Sequence, residues 1–157
     1  MPHIHEKIDF IADIYIVFEN KVLLRMHDKY NIWLPVGGHI ELDEDPNQAV
    51  IREAKEESGM DVELLDRREF RKDREDYQEL IAPMFLNRHR ITENHEHIGF
   101  VYFGRSKTRE LQIPETEENK KASCRWFTRE ELDRNEEGIR EDVAWYAKRA
   151  LEEIGLV

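Results

Sequence analysis

The sequence has 157 residues, of which 38% are charged, and a formal net charge of −11. This length accommodates one hydrophobic core and the composition shows no break, so residues 1–157 are predicted to form a single domain, while the negative charge disfavours long nucleic acid as a partner. No segment is long and apolar enough to cross a membrane, and one cysteine, Cys124, without an apolar leader excludes an intramolecular disulfide and favours a reducing cytoplasm.

The chain begins with a histidine pair and two predicted strands. His3 and His5 form a His-x-His pair, which can bind a metal but at a polar terminus is more often incidental. Residues 11–18 and 22–26 are rich in β-branched and aromatic side chains, and the short polar link between them predicts a hairpin. Arg25, at the end of the second strand, either faces a substrate phosphate or is an exposed charge.

A glycine loop and a helix follow. Gly37 and Gly38 allow the backbone to approach a ligand closely. Asp45 is a helix-capping residue type, Pro46 suits the first helical position, and Gly59 suits the left-handed conformation that ends a helix. These start and stop residues predict a helix between Pro46 and Gly59.

The predicted helix gathers carboxylates on one face. Glu53, Glu56 and Glu57 recur at helical spacing, and another face is predicted to pack through Val50, Ile51, Ala54 and Ser58. Converging carboxylates repel each other, and a divalent cation removes that conflict; hard oxygen ligands suit Mg²⁺ or Mn²⁺, which share coordination positions with substrate phosphates. The alternative is a solvated surface on which Arg52 and Lys55 form salt bridges with these glutamates.

The segment GHIELDEDPNQAVIREAKEESGM, residues 38–60, resembles the complete Nudix box of the Nudix hydrolases. Every charged and glycine position of that pattern is matched at its fixed spacing, from Gly38 and Glu44 to Gly59. Ala54 departs from the pattern, since the family usually has a larger aliphatic residue there. The resemblance implies an α/β fold in which an α/β/α sandwich surrounds a mixed β-sheet, and a single Nudix domain.

The resemblance also implies roles for individual residues. The implied ligands of Mg²⁺, for which Mn²⁺ is a substitute, are the backbone carbonyl of Gly37 and the carboxylates of Glu53, Glu56 and Glu57. Glu44 is expected to orient ligands or water, and Arg52 to hold a box glutamate through an ion pair. The expected reaction is hydrolysis, by a metal-activated water, of a pyrophosphate bond in a nucleoside diphosphate linked to another moiety.

Three further residues outside the box, besides Arg25, are candidates for substrate recognition. Trp33 either stacks on a nucleotide base or packs in the core. Arg71 belongs to a basic patch in the polar segment 66–79, which either reaches terminal phosphates or is a solvated loop or hairpin. Tyr77 lies about where some Nudix enzymes that cleave dinucleoside polyphosphates carry a tyrosine.

The C-terminal half supplies candidates for a further ligand or base. Strands are predicted over residues 82–91 and 97–105, with His95 and Glu96 in the turn between them. His95 and His97 would point to the same side, so with Glu96 they form a second metal or proton-transfer group, or else make ordinary hydrogen bonds.

An acidic loop over residues 114–121 resembles the Nudix loop that brings one more carboxylate to the metal or supplies the base, which makes Glu117 and Glu118 candidates. A strand over residues 122–127 comes next. Thr128 begins a short helix with a capping pattern, and a helix over residues 138–154 with one apolar stripe follows it.

Two classes of function fit the sequence. An enzyme would use the box on a small nucleotide, namely a nucleoside triphosphate, a nucleotide sugar or a dinucleoside polyphosphate. The alternative is a non-catalytic Nudix-fold domain that binds or senses a nucleotide, but such a domain is expected to have lost box carboxylates that this chain keeps. The sequence leaves both the substrate and a homodimer open.

Overall fold

A mixed sheet of eight strands lies at the centre of the protein, as seen in a computed structural model that describes residues 7–27, 29–120 and 122–155. Its strands are β1 Ile8–Phe18, β2 Lys21–His27, β3 Ile32–Leu34, β4 Val36–His39, β5 Val62–Leu64, β8 Phe85–Thr92, β9 His95–Ser106 and β10 Ser123–Thr128. A separate hairpin consists of β6 Asp73–Arg74 and β7 Tyr77–Gln78, and the helices are α1 Pro46–Ser58, α2 Arg129–Arg134 and α3 Glu141–Gly155. The predicted pair His3 and His5 lies outside the described residues.

Strand β1 is the centre of the sheet. Along one edge it pairs antiparallel with β4 and then with β2, and along the other edge it runs parallel to β9 over ten residue pairs, from Ile8 with Glu96 to Val17 with Arg105. Strand β9 in turn pairs antiparallel with β8 and β5. This single parallel pair among antiparallel neighbours gives the mixed sheet that the sequence predicts.

The two faces of β1 pack against different helices. Ala12, Ile14 and Ile16 belong to a buried cluster with residues of α1, whereas Tyr15 and Val17 belong to a second cluster with residues of α2 and α3. The α/β/α sandwich is thus confirmed. Because side chains alternate along a strand, Asp9 and Asp13 share the α3 side of the sheet with Tyr15.

Helix α1 begins and ends where its sequence predicts. The Asp45 carboxylate accepts a hydrogen bond from the backbone N–H of Gln48, Pro46 lies in the first turn, and Gly59 adopts a left-handed φ of +74°. The backbone N–H of Gly59 donates to the carbonyl of Lys55 at 2.9 Å, which closes the helix.

The buried face of α1 differs from the prediction. Ala49, Val50, Ala54 and Ser58 are buried, whereas Ile51 is 45% exposed, so its assignment to the packing face is wrong. At 100° per residue Ile51 lies just beyond one edge of the buried arc, whereas Glu53 and Glu57 lie within it, between Ala49 and Val50. The side chains of Glu53 and Glu57 are therefore only 14% and 16% exposed.

Element boundaries shift in the C-terminal half. Strand β9 begins at His95 rather than after it, and β8 begins at Phe85 rather than at residue 82. Helix α3 begins at Glu141 rather than at Gly138, because the Asn135 side chain bonds both the N–H and the carbonyl of Ile139 and holds the preceding turn outside the helix. Among the described residues, no helix is both long and apolar enough to span a lipid bilayer.

Two left-handed glycines provide a matched test of packing. Gly59 and Gly138 have similar positive φ angles, but a Cβ on Gly59 would lie 1.9 Å from the carbonyl oxygen of Gln112, whereas a Cβ on Gly138 would meet nothing within 4 Å. We expect Gly138→Ala to lower the free energy of unfolding by about 1 kcal/mol, the backbone cost alone. Gly59→Ala should lower it by about 3 kcal/mol, because overpacking adds to that cost. Urea unfolding measures both losses, and equal losses would contradict the packing argument.

Candidate active site

Two glycines of β4 bring its backbone against three carboxylates. The N–H of Gly37 donates to Glu57 Oε1 at 2.8 Å. A Cβ on Gly38 would lie 2.4 Å from Glu53 Oε1, and a Cβ on Gly37 would lie 2.3 Å from Asp13 Oδ1. Any larger residue at either position would displace a carboxylate, so the glycines are required for this close approach.

Arg52 holds the outer part of the box. Its Nη1 donates to Glu53 Oε1 at 2.9 Å and to Glu56 Oε2 at 3.1 Å. Its Nε and Nη2 bind the two oxygens of Glu44 at 3.0 and 2.6 Å, and this hydrogen bonding lowers the pKa of Glu44. Nη2 also donates to the backbone carbonyl of His39 at 3.1 Å. One guanidinium therefore fixes three glutamates and the loop that precedes α1.

Arg25 holds the inner part of the box. Its Nε lies 3.0 Å from Glu57 Oε2, and Nη1 donates to the Glu57 carbonyl at 3.2 Å. Nη1 also donates to Asn119 Oδ1 at 2.7 Å, and Nη2 to the carbonyl of Glu118 at 3.4 Å. The side chain is 11% exposed, so Arg25 is not the exposed charge of the sequence alternative. It joins β2, α1 and the acidic loop.

Asn119 fastens that acidic loop to α1. The side chain is 9% exposed, and its amide nitrogen donates to the carbonyls of Glu56 at 2.9 Å and Pro114 at 2.8 Å. Burial is the main reason that the pKa values of Glu53 and Glu57 are raised, and the charge of the adjacent Glu118 adds to both shifts. Glu117 points away, with a side chain that is 90% exposed and bonded to Lys120. Of the two predicted candidates, Glu118 is the one near the box.

Asp13 is a member of the site that sequence reasoning missed. Burial, followed by the charges of Glu57 and Glu53, raises the pKa of Asp13 to about 8. Burial likewise raises the pKa of Glu57 to about 7, against the opposing effects of Arg25 and the Gly37 N–H, and burial raises the pKa of Glu53. The available signal was an aspartate between Ala12 and Ile14, on the strand face opposite α1.

These carboxyl groups fit a hard divalent cation. They crowd together in a partly buried place where burial and mutual repulsion disfavour their charged forms, and a dication would stabilise those forms. Their oxygens are the ligand type of Mg²⁺ and Mn²⁺ rather than of softer metals. The same residues on an open surface would need no such counterion.

A cleft of about 510 Å³ opens beside the box. At one end it is lined by Asp13, Arg25, Gly37, Gly38 and Glu57. Its walls carry three tyrosines and three arginines, namely Tyr15, Tyr30, Tyr146, Arg88, Arg90 and Arg140. Rings and guanidinium groups suit a ligand with an aromatic base and phosphates, even in a chain whose net charge is −11.

The remaining predicted residues lie elsewhere. Trp33 is 8% exposed and packs edge to face on Phe127, so core packing describes it and base stacking does not. Arg71 bonds Asp66 at 2.8 Å and Tyr77 bonds the carboxylate of Glu79; neither lines the cleft.

Glu96 is not beside the box. It is bonded through both oxygens to Arg88, at 2.6 and 3.0 Å, and it lies in β9 directly opposite Ile8 of β1. Strand β1 reaches the box only at Asp13, five residues further on, which is about 17 Å along an extended strand. The structure therefore separates Glu96 from the other candidate ligands.

Comparison with known proteins agrees with this geometry. A family model described as a NUDIX domain matches residues 10–156. A NUDIX-family hydrolase from Clostridium perfringens has a TM-score of 0.80 at 34% identity, over 93% of this chain and 97% of that chain. A MutT NUDIX hydrolase from Burkholderia pseudomallei has a TM-score of 0.62 at 21% identity, over 95% and 99%. An ADP-ribose pyrophosphatase from Streptococcus suis has a TM-score of 0.55 at 19% identity, over 92% and 90%. No curated protein sequence matches the chain.

The contact between Arg25 and Glu57 predicts a coupling energy. Arg25→Met keeps the apolar stem but leaves a largely buried carboxylate without its cation, which should lower the free energy of unfolding by about 3 kcal/mol. In the Glu57→Gln background, Arg25→Met should lower the free energy of unfolding by less than it does in the wild type, and this difference, the coupling energy, should be about 1–3 kcal/mol. Urea unfolding of the two single variants and the double variant in a chelator measures the coupling, and additive losses would contradict it.

Proposed function

This chain belongs to the Nudix hydrolase family and is a pyrophosphohydrolase, and from that premise we propose that it cleaves a pyrophosphate bond in a nucleoside diphosphate linked to another moiety. The observation that carries the proposal is the convergence of Glu53, Glu56 and Glu57 beside the glycine loop, at the end of a cleft with arginines and aromatic rings. A nucleotide sensor would not need these carboxylates.

The proposed cofactor is Mg²⁺, with Mn²⁺ as a substitute. The residues that would hold it are Gly37, through its carbonyl, and Glu53, Glu56 and Glu57, through their carboxylates. When bound, the ion would offset the negative charge that develops on the diphosphate and lower the pKa of the attacking water. Asp13 supports this assignment, because a third buried carboxyl beside Glu57 and Glu53 adds to the repulsion that a cation relieves.

Arg52 and Arg25 act as positioning residues for the carboxylates. Arg52 fixes Glu53 and Glu56 from the solvent side, and Arg25 fixes Glu57 from the interior. Glu44 neutralises part of the Arg52 charge and accepts the N–H of Glu41 at 3.0 Å, which keeps the loop before α1 in place. The carboxylates are thus oriented before a substrate arrives, which reduces the reorganisation that catalysis requires.

Glu118 is the proposed general base or additional ligand. Its backbone is held by Arg25, and its neighbour Asn119 ties the loop to the end of α1. A carboxylate close enough to influence the pKa of both Glu53 and Glu57 can accept a proton from a water bound between them.

The proposed substrate is a small nucleotide whose base and sugar occupy the cleft. Tyr30 and Tyr146 offer ring surfaces, and Arg90 and Arg140 offer guanidinium groups for phosphates. Nucleoside triphosphates, nucleotide sugars such as ADP-ribose, and dinucleoside polyphosphates share this chemistry. The net charge of −11 disfavours long nucleic acid, and the single cysteine supports a cytoplasmic location.

A nucleotide panel tests the function directly. With Mg²⁺ or Mn²⁺, the wild-type protein should cleave at least one of these compounds, and Glu57→Gln should lower turnover at least about 100-fold, because it removes a ligand of the reacting centre. Glu63→Gln is the matched control, since Glu63 is an exposed residue of β5. If no compound is cleaved but one raises the melting temperature, the sensor alternative replaces this proposal.

A pair of adjacent glutamates tests the assignment of Glu118. Glu118→Gln should lower kcat about 10²- to 10⁴-fold, the usual contribution of a general base, while leaving the melting temperature near that of the wild type. Glu117→Gln should leave kcat unchanged, because Glu117 is exposed and pairs with Lys120. Equal kcat values for the two variants would contradict the assignment.

A further inference from the structure

A cluster of histidines surrounds Asp9 at the end of the sheet. Asp9 and His97 are direct partners in the parallel pair of β1 and β9, and His89 faces His97 from β8. His95 lies two residues before His97, so both point to the same side of β9. His39, the last residue of β4, completes the group, and the cleft is lined at this end by His39, His89 and His97.

Polar atoms of Asp9, His95 and His97 converge on one point, and His39 lies next to Asp9. The distance from Asp9 Oδ2 to His95 Nε2 is 3.3 Å, and to His39 Nε2 it is 3.5 Å. Asp9, His95 and His97 each offer one ligand atom, and these atoms lie within 4.8 Å of one another. Neighbouring ligands of a tetrahedral ion with bonds of about 2.0–2.1 Å are about 3.3 Å apart, which matches the two Asp9 distances.

The convergence takes place in the interior. Asp9 is 1% exposed, His95 is 8% exposed and His97 is 9% exposed. The ring of His97 stands edge-on to both His39 and His95, with centroids 5.1 Å from each. Two buried imidazoles and one buried carboxylate thus meet in a small volume with the ring of His39 beside them, an arrangement that a shared cation would stabilise.

We propose that Asp9, His39, His95 and His97 form a binding site for a first-row transition-metal dication, with Zn²⁺ as the representative ion. Three imidazoles and one carboxylate favour such a metal over Mg²⁺, which prefers oxygen ligands. The group differs from the one expected from sequence alone, because Asp9 takes the place of Glu96, which is bonded to Arg88.

The site adjoins the Nudix box, which contributes His39, but it uses none of the box carboxylates and has a different role. Asp9 and Asp13 are four residues apart on β1, which corresponds to about 13 Å along an extended strand. With His39 as the fourth ligand the protein would close the coordination sphere, as in structural metal sites. The ion would join β1, β4 and β9 and stabilise the wall of the cleft, while the box glutamates keep their own metal.

Metal binding to the full-length protein tests the proposal. After removal of metals, we expect one Zn²⁺ per chain to bind in the presence of excess Mg²⁺ and to raise the melting temperature. Asp9→Asn and His97→Gln should each weaken Zn²⁺ binding by more than the ~10–100-fold that loss of an outer-shell partner costs. His89→Gln, a histidine whose Nδ1 lies 2.8 Å from Asn87 Oδ1 and which is outside the proposed set, should retain the ion.

Co²⁺ absorption of the wild-type protein provides a readout that does not depend on how the variants fold. The intense visible bands of four-coordinate Co²⁺ are expected, and the weak spectrum of an octahedral ion would overturn the site. Zn²⁺ binding that persists in both Asp9→Asn and His97→Gln would also overturn it, by assigning the ion to other histidines. Glu57→Gln should lose hydrolysis but keep Zn²⁺, so the failure of either proposal is distinguishable from failure of the other.

Discussion

The packing of carboxylates against a second backbone is the constraint on which the rest of this structure depends. Glu53 and Glu57 lie within the buried face of α1, where solvent stabilises their charge only in part. They fit there because Gly37 and Gly38 present no side chains. Their charges are tolerated because Arg52 approaches from the solvent side and Arg25 from the interior. The loop, the helix and both arginines therefore form one electrostatic unit.

Strand β1 connects this unit to the rest of the molecule. One of its faces is apolar and packs on α1, which fixes the height of the box above the sheet. Its other face carries Asp9, Asp13 and Tyr15. Asp13 and Tyr15 line the cleft, and Asp9 lies beside His39 and His97. The alternation of side chains along β1 that forms the sandwich thus also places an aspartate near each end of the cleft. The two ends differ chemically because Asp13 lies near the box glutamates, whereas Asp9 lies among histidines.

Local signals made part of this structure predictable. The ends of α1 follow from Asp45, Pro46 and Gly59, and the set of box carboxylates follows from helical spacing. The partners of Arg25, by contrast, depend on the register of β2 against β10 and on a loop more than 90 residues away. Asp13 and Asn119 likewise belong to the site only because of pairings between segments that are far apart in the sequence. The burial of Ile51 was predicted wrongly, and the role of Trp33 was left between base stacking and core packing. Both follow from the fact that an apolar side chain does not specify which surface covers it.

Asn119 has a consequence for how the loop behaves when charge at the site changes. It binds the carbonyls of Glu56 and Pro114 and the guanidinium of Arg25 through a neutral amide. A charged side chain in this position would bind more strongly or more weakly as a cation and a polyanionic substrate bound and left, and the strength of its contacts would vary with the salt concentration. The hydrogen bonds of a neutral amide depend little on the local charge or on the salt concentration. Glu118 therefore keeps its place relative to α1 through a cycle in which the local charge changes by several units.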